Sequence, residues 1–329
     1  HNEVKEAMEF SEDYKRYLDL GKTERGAVQE SVRLLEDNGF KDLSTFESLS
    51  PGDKVYSNIL GKGLLAAILG QEEVAAGFNI VGAHVDSPRV DLKPYPVYEA
   101  GEMAYFSTHY YGGIKNYQWT NIPLAIHGVI YTQEGEKIEI QIGEDENDPI
   151  FIFNDLLPHL GNKQMGKKAS DVIEAEELRL LIGGTPYEDK GAENRYKLEL
   201  LRLLNERYGI VERDFITAEL SIVPAMKARD LGFDRSFVAA YGQDDRVCSY
   251  TALRAVMSIE KPSRTTVVML TDKEEIGSDG NTGAQSALFE NFFIELLTKS
   301  SGGYSQLVYR QALAKSSMLS TDVTNAFDP

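Results

Sequence analysis

The stretch Thr271-Asp-Lys-Glu-Glu-Ile-Gly-Ser278 follows an apolar, β-branched run, Thr265-Thr-Val-Val-Met-Leu270. Such a run is typical of a buried parallel strand, and it places Glu274 and Glu275 where that strand ends. Open α/β sheets bind ligands at the carboxyl ends of their strands. Neighbouring acids repel each other unless a cation or a shared proton separates their roles. If this pair serves a ligand, other strand ends must supply its partners.

The composition favours a globular protein that contacts neither nucleic acid nor membranes. The chain has 329 residues, of which 42% are hydrophobic, so a substantial core can be buried in one large or two ordinary domains. The net charge of −18 disfavours nucleic acid and anionic membranes as partners, and no apolar run approaches about 18 residues. The polar start lacks an apolar signal region, and Cys248 is the single cysteine. We therefore expect a cytoplasmic, reducing location without an internal disulfide framework.

Hydrophobic periodicity predicts an α/β fold interrupted by an insertion. Helical spacing covers 2–20, 24–38, 153–169, 192–208, 246–259 and 283–298, whereas strand patterns cover 54–59, 64–69, 78–86, 218–223, 237–241, 265–270 and 317–323. Between residue 95 and about residue 145 the pattern alternates in β fashion. We expect a mixed, mostly parallel sheet with helices on both faces, built from 1–94 and 225–329, and an inserted α and β domain over 95–224.

Four segments place metal-binding residue types at the ends of apolar strands: His84-Val-Asp86, Asp244-Asp-Arg246, Glu274-Glu275 and Ser320-Thr-Asp322. Residues so far apart in sequence meet only if the strand ends converge along one sheet edge. Imidazole with several carboxylates favours Zn²⁺ or a similar divalent ion, and the number of acids favours two ions about 3.5–4 Å apart. One glutamate would coordinate, and the other would act as a general base.

Asp86 has a separate predicted role beside the histidine. It follows His84 by two residues, so both side chains lie on the same side of an extended strand. It can therefore accept a hydrogen bond from the ring nitrogen that is not bound to metal, which fixes the tautomer.

Each segment also has an alternative interpretation. A histidine two residues before an aspartate is often a satisfied core residue, and adjacent glutamates usually lie on a solvated helix face. Asp244 and Asp245 can begin a helix, where acids favour the dipole, and Asp322 can occupy a turn. Four such coincidences in this order are much harder to accept than a single site.

The sequence resembles the metallopeptidase family of aspartyl aminopeptidase and vacuolar aminopeptidase I. The similar segments are Gly82-Ala-His-Val-Asp-Ser-Pro88 with Leu92-Lys-Pro94, Tyr111-Gly-Gly113 with Trp119, Asp244-Asp-Arg246, Asp272-Lys-Glu-Glu-Ile-Gly-Ser278 with Gly283-Ala-Gln-Ser286, and Ser320-Thr-Asp322. The resemblance extends over nearly the whole chain. It implies a co-catalytic two-zinc aminopeptidase whose inserted domain mediates dimerisation, commonly within a dodecamer.

The resemblance also implies a role for each matching residue. His84 and Asp322 would hold one zinc ion and Glu275 the other. Asp245 would bridge both ions, because it aligns with the aspartate of the family's usual Leu-Asp-Asn. Glu274 would be the general base, and Co²⁺ or Mn²⁺ could replace Zn²⁺. The remaining residue is Asp86, which would orient the imidazole of the first ligand.

His159 lies in Asp155-Leu-Leu-Pro-His-Leu160, which resembles a family segment whose histidine enters the neighbouring subunit's active site. There it would stabilise the developing oxyanion, although a local hydrogen bond at a helix start is the alternative. His109 and His127 are expected in surface or loop positions. Cys248 is expected as a small buried hydrophobic residue close to the site.

Two features depart from the family pattern. The second zinc has a histidine ligand well beyond the Ser-x-Asp motif in the family, and none of the five histidines here occupies that position. We therefore expect a truncated chain or an incomplete second site. After Asp322, the family often continues with histidines, whereas here the sequence is Thr324-Asn-Ala-Phe-Asp-Pro329.

The main functional prediction is a metal-dependent aminopeptidase that removes N-terminal residues from peptides. A related zinc amidohydrolase such as a deacylase is one alternative, and a non-catalytic assembly protein on the same scaffold is another. The intact Glu274, Glu275 and Asp245 argue against the assembly protein. The preferred N-terminal residue, acidic or apolar, does not follow from the sequence.

Overall fold

The computed structural model describes residues 2–327. Its α-helices are α1 (Asn2–Leu20), α2 (Glu24–Asp37), α3 (Asn162–Met165), α4 (Arg195–Tyr208), α5 (Gln243–Met257), α6 (Ala287–Ser301) and α7 (Gln306–Ala314). Its strands are β1 (Lys41–Asp42), β2 (Lys54–Ile59), β3 (Gly63–Ile68), β4 (Phe78–His84), β5 (Arg89–Ala100), β6 (Met103–Tyr111), β7 (Leu124–Tyr131), β8 (Lys137–Ile142), β9 (Ile152–Phe153), β10 (Arg179–Gly183), β11 (Glu219–Pro224), β12 (Arg229–Leu231), β13 (Phe237–Ala239), β14 (Thr265–Thr271) and β15 (Ser317–Ser320).

The chain forms two compact units. The α/β unit contains the described residues up to Ser87 and those from Lys227 onward, and the inserted unit is Pro88–Met226. The insertion was expected over 95–224. The structure begins it earlier, because β5 starts at Arg89 and pairs with β6 and β11 in the sheet of the inserted unit.

The α/β unit is built on a six-stranded mixed sheet in the order β1-β2-β3-β14-β4-β15. Strands β14 and β15 both run parallel to β4, whereas β3 is antiparallel to β2 and β14. The predicted fold class, a mixed sheet with helices, is confirmed. The parallel trio brings the carboxyl ends of β14, β4 and β15 to one edge of the sheet.

Alternation along β3 explains why helices cover both faces of this sheet. Leu64, Ala66 and Ile68 belong to a core with residues of α1, α2 and α5, whereas Leu65 and Ala67 belong to a second core with residues of α6 and α7. Side chains two residues apart point to the same face of a strand, so an all-apolar strand requires cover on both faces.

Helix boundaries follow local capping chemistry. The Thr23 side chain accepts a hydrogen bond from the Gly26 N–H and caps α2, as predicted. Helix α6 begins after the Ser286 cap, four residues later than predicted. Helix α7 was not predicted, although its Tyr309 and Ala312 are buried; at nine residues it is too short for a clear periodic signal.

The inserted unit contains a seven-stranded antiparallel sheet in the order β8-β7-β11-β5-β6-β10-β9. The helix expected over 153–169 is wrong: the chain there has a turn near Pro158 and only the short helix α3. Pro158, Gly161 and Gly166 interrupt any longer helix. His127, expected at the surface or in a loop, is buried in β7, and its Nε2 lies 2.8 Å from Glu144 Oε1.

None of the helices in residues 2–327 has the length and apolar character needed to cross a membrane.

Candidate metal centre and active site

The candidate site lies at the shared carboxyl edge of β4, β14 and β15 in the α/β unit. Strand β4 ends at His84, which is paired in register with Thr271, the last residue of β14. Strand β15 ends at Ser320, which is paired with Gly82. The segments that follow these strands carry Asp86, Glu274 and Asp322, so the convergence expected from their sequence positions is present.

His84 is the centre of this group. Its imidazole is almost fully buried, and its Nε2 lies 3.3 Å from Asp244 Oδ1 and 3.8 Å from both Glu274 Oε2 and Asp322 Oδ1. Two sets of potential ligand atoms, each within 4.8 Å of one another, share this imidazole: His84 with Asp244 and Asp322, and His84 with Glu274 and Glu275. The structure thus brings four of the predicted residues together with one that was not predicted.

Asp86 connects the histidine to the glutamate pair. The His84 Nδ1 lies 3.2 Å from Asp86 Oδ1 and 3.0 Å from the Asp86 carbonyl oxygen. The main-chain N–H groups of Glu274 and Glu275 donate to the two carboxylate oxygens of Asp86, both at 3.2 Å. Asp86 is completely buried. Its carboxylate therefore holds both the imidazole and the loop that carries the two glutamates.

The loop after β14 folds as one short 3₁₀ turn, Glu274–Ile276. Lys273 before it has φ 66° and Gly277 after it has φ 98°, both in the left-handed region. The Gly277 N–H donates to the Glu274 carbonyl and the Ser278 N–H to the Lys273 carbonyl. Glycine adopts such a φ without steric cost, which accounts for its place after Glu-Glu-Ile. The two glutamates thus lie in a short turn and not on a solvated α-helix face, which was the alternative interpretation of the pair.

A second buried carboxylate, that of Asp272, also holds this loop in place. Its carboxylate accepts hydrogen bonds from the Thr282 hydroxyl at 2.6 Å and from the Lys273 N–H at 2.8 Å. Burial and the charge of Glu24 raise the pKa of Asp272 to about 6, although the Thr282 hydroxyl lowers it. Asp272 was quoted only as part of a motif, so its anchoring role was missed by sequence reasoning.

Asp244 takes the place expected for Asp245. Asp244 faces His84 Nε2, whereas Asp245 is completely buried and its Oδ2 accepts a hydrogen bond from the main-chain N–H of His84. Both residues have non-helical φ and ψ at the start of α5, and Asp244 is in an extended conformation. Of the two side chains, only that of Asp244 faces the imidazole ring. Nothing in two adjacent residues of the same type indicated which one.

Burial and mutual repulsion raise the pKa of several carboxyl groups in the site. Burial, then the charge of Asp244, raises the pKa of Glu275 to about 7. Burial also raises the pKa of Asp245 to about 6 and that of Asp244 above its ordinary value. Buried acids that are hard to ionise beside one another are stabilised by a cation.

The pKa of the His84 imidazole is raised as well, although burial acts on it in the opposite direction. Burial lowers the pKa of His84, but the hydrogen bond and charge of Asp86, followed by the charges of Asp245 and Glu274, outweigh burial and raise the pKa to about 9. The site therefore provides a strongly negative environment for any positive group that it contains.

The donor set fits a zinc ion. One imidazole and several carboxylate oxygens are the ligand types that Zn²⁺ accepts. Within residues 2–327, Glu275 Oε1 is buried and makes no hydrogen bond. A buried carboxylate oxygen without a partner is costly, and a coordinated cation would satisfy it.

Two other residues named from the sequence, His159 and Cys248, belong to neither set of possible metal ligands. His159 is exposed in a turn of the inserted unit. Cys248 is partly buried on α5, and burial together with Asp245 raises the pKa of its thiol to about 12. A thiol that stays protonated fits the expected apolar role.

Comparison with known protein families gives one clear match. The family described as aminopeptidase I zinc metalloprotease (M18) matches residues 17–329. A protein of Clostridium acetobutylicum called probable M18 family aminopeptidase 1 is 47% identical over 331 residues, which cover 99% of this chain and 71% of that protein. A protein of Thermotoga maritima with the same description is 43% identical over 330 residues, covering 100% of this chain and 72% of that protein.

Solved structures show the same relationship. The crystal structure of an M18 family aminopeptidase from Thermotoga maritima has a TM-score of 0.95 at 42% identity and covers 99% of this chain and 71% of that one. Aminopeptidase I from Borrelia burgdorferi has a TM-score of 0.88 at 37% identity, covering 100% and 75%. The structure of the S. cerevisiae mApe1 dodecamer has a TM-score of 0.76 at 23% identity, covers 100% and 74%, and is similar in fold alone.

Replacing Thr282 by Val should destabilise the loop that carries the glutamates. Valine keeps the shape but removes the hydroxyl that donates to the buried Asp272, so we expect the free energy of unfolding to fall by about 1–3 kcal/mol. Thr251→Val on exposed α5 surface is the matched control and should stay within about 0.5 kcal/mol of the parent. Urea unfolding measures both, and equal stabilities of the two variants would contradict the anchoring role.

Proposed function

Because the chain belongs to the aminopeptidase I zinc metalloprotease (M18) family, we propose that it removes N-terminal residues from peptides by a co-catalytic two-zinc mechanism. Peptide hydrolysis follows from the family; the number of ions and the residue roles are the proposal. The observation that carries it is His84, shared between two sets of possible ligands at one sheet edge.

The proposed ligands divide between two ions. His84 and Asp322 would hold the first zinc ion, and Glu275 would hold the second. Asp244, whose carboxylate faces the imidazole, would take the shared-ligand role expected for Asp245 from the sequence. The buried, unpaired Oε1 of Glu275 supports its role as a ligand. Within residues 2–327, His84 is the one histidine in the groups of possible metal ligands, and it is assigned to the first ion. No histidine of these groups is therefore left for the second ion.

In this proposal, a residue of this chain transfers the proton from the attacking water to the leaving amine. When bound, zinc supplies Lewis-acid polarisation of the scissile carbonyl and lowers the pKa of the attacking water. Glu274 takes the proton from that water and delivers it to the leaving amine. Its side chain is half exposed, so substrate and water can reach it, whereas its main chain is held by Asp86.

The acidic lining of the site suits a free N-terminal amine. The substrate's free N-terminal amine would lie near one zinc ion and the acidic side chains at this edge of the sheet, which are about half exposed at Asp244 and Asp322. An N-acylated peptide lacks a free amine and places a carbonyl group there instead. This is the physical reason to prefer an aminopeptidase over a deacylase on the same scaffold.

The inserted unit is proposed to mediate self-association. Around His159 lie the exposed side chains of Leu156, Leu157 and Leu160, at 57%, 60% and 71% exposure. An exposed apolar segment of this kind marks a contact surface. We place His159 of one subunit at the oxyanion position of a partner subunit, and a dodecamer remains the expected assembly. A reducing compartment such as the cytoplasm remains the proposed location, on the basis of the single cysteine.

Glu274→Gln should abolish most turnover without removing the metal. The amide cannot accept the proton from water, so we expect kcat to fall by a factor of about 10²–10⁴. Glu260→Gln, an exposed glutamate of the same unit, is the control and should keep the parent rate. Hydrolysis of aminoacyl-p-nitroanilides with free and acetylated amines, together with zinc analysis, measures the effect.

Full activity of Glu274→Gln would remove that residue from the proton transfer. Release of acetate from the acetylated substrate by the parent protein, with no release of p-nitroaniline from the free-amine substrate, would replace the aminopeptidase proposal with a deacylase.

Self-association should depend on the leucines around His159. Leu157→Asp and Leu160→Asp should shift sedimentation to smaller species, because a charge replaces apolar contact surface. Leu307→Asp, at a similarly exposed leucine of α7, is the control and should not change the sedimentation.

Co-expression of His159→Ala with Glu274→Gln tests the shared site: mixed assemblies should exceed the activity of either variant alone. No complementation in assemblies that do contain both chains would contradict the role of His159.

A further inference from the structure

Two adjacent aspartates reach the same histidine by different routes. Asp244 faces the His84 ring at 3.3 Å, whereas Asp245 Oδ2 accepts from the His84 main-chain N–H, also at 3.3 Å. Ser249, one turn further along α5, donates its hydroxyl to the His84 carbonyl oxygen at 2.6 Å. Asp245 and Ser249 are completely buried. Helix α5 therefore binds both polar groups of the main chain at His84.

These hydrogen bonds satisfy main-chain groups of His84 that strand pairing with β15 does not reach. The Gly82 carbonyl accepts from the Thr321 N–H on the β15 side, and the Val85 N–H donates to the Thr271 carbonyl on the β14 side. Because strand polar groups alternate in direction, those of His84 face the β15 side. Strand β15 pairs with β4 only as far as Ser320 opposite Gly82. Without α5, the buried N–H and C=O of His84 would lack partners at that edge, which is unfavourable for buried polar groups.

The chain just after β4 also donates a hydrogen bond to the main chain at the start of α5. The Ser87 hydroxyl, three residues after His84, donates to the Asp244 carbonyl oxygen. The end of β4 and the start of α5 thus hold each other's main chains. Asp244 sits between these hydrogen bonds, so its carboxylate has a defined place relative to the imidazole.

We propose that Asp245 is a positioning residue that clamps the main chain of His84 together with Ser249 and so sets the spacing between His84 and Asp244. This inference rests on the proposed function, in which those two residues hold the same zinc ion. The two members of the Asp-Asp pair then have different roles, since one faces the metal and the other holds the main chain of its neighbouring ligand. Partners that orient metal ligands usually contribute a factor of about 10–100 to metal affinity.

Zinc affinity and the absorption spectrum of bound Co²⁺ test the clamp. Asp245→Ala should weaken zinc binding by about 10–100-fold in competition with a chelating dye, because the His84 N–H loses its acceptor. Asp245→Asn keeps an acceptor oxygen and should stay within about threefold of the parent. At saturating Co²⁺, both variants should show the parent's visible spectrum, since the ligand set is unchanged. Asp19→Ala removes another carboxylate that accepts a main-chain N–H, from Ala228, and should leave both readouts unchanged.

Two outcomes would overturn the inference. A changed Co²⁺ spectrum in Asp245→Asn would make Asp245 a direct ligand. Unchanged zinc affinity in Asp245→Ala, with only a lower melting temperature as in Asp19→Ala, would make its role purely structural. Asp244→Asn separates this failure from a failure of the proposed function: if that variant also binds zinc like the parent, the metal assignment itself is wrong.

Discussion

The site depends most on the buried carboxylate of Asp86. Burying an ionised carboxylate costs several kcal/mol unless hydrogen bonds satisfy its oxygens. Here the His84 imidazole and the main-chain N–H groups of Glu274 and Glu275 do so. Because these donors come from two different strand ends, one charged group sets the position of the turn after β14 relative to the end of β4. The fold contributes the parallel pairing that brings the ends together, and Asp86 contributes the local geometry.

The same constraint explains how neighbouring acids acquire different roles. Asp86 holds both glutamates only through their main chains, so their side chains are free to differ. Glu274 is half exposed, whereas Glu275 is more buried, and burial raises its pKa to about 7. A partly buried acid with an unsatisfied oxygen is suited to a cation, and an exposed one to proton transfer with water. The Asp244–Asp245 pair divides in the same way, with one side chain toward the imidazole and one toward the main chain.

The sequence was sufficient where a single physical rule applied. Strand ends that carry His84, Glu274, Glu275 and Asp322 were recognisable because parallel strands share a carboxyl edge, and the alternation of strands and helices along the chain predicted helices on both faces. It was insufficient where two neighbouring residues have the same side chain. Asp244 and Asp245 are chemically identical neighbours, and only the three-dimensional path of α5 decides between them.

Sequence patterns also failed to predict the structure of residues 153–169 in the inserted unit and the short helix α7. The apolar residues near Leu156 and Leu160 resemble a helix in spacing, but Pro158 and Gly161 interrupt it, and these side chains are exposed. Exposed apolar residues do not pack into the core of the chain, so hydrophobic periodicity, which reports burial, cannot position them.

The most direct measurement is anomalous diffraction at the zinc absorption edge from zinc-loaded crystals. We expect a zinc peak within about 2.0–2.2 Å of His84 Nε2 and of carboxylate oxygens of Asp244 and Asp322, and a second peak at Glu275. A zinc peak coordinated by Asp245 with Asp244 turned away would contradict the proposed centre, as would the absence of zinc from this edge of the sheet.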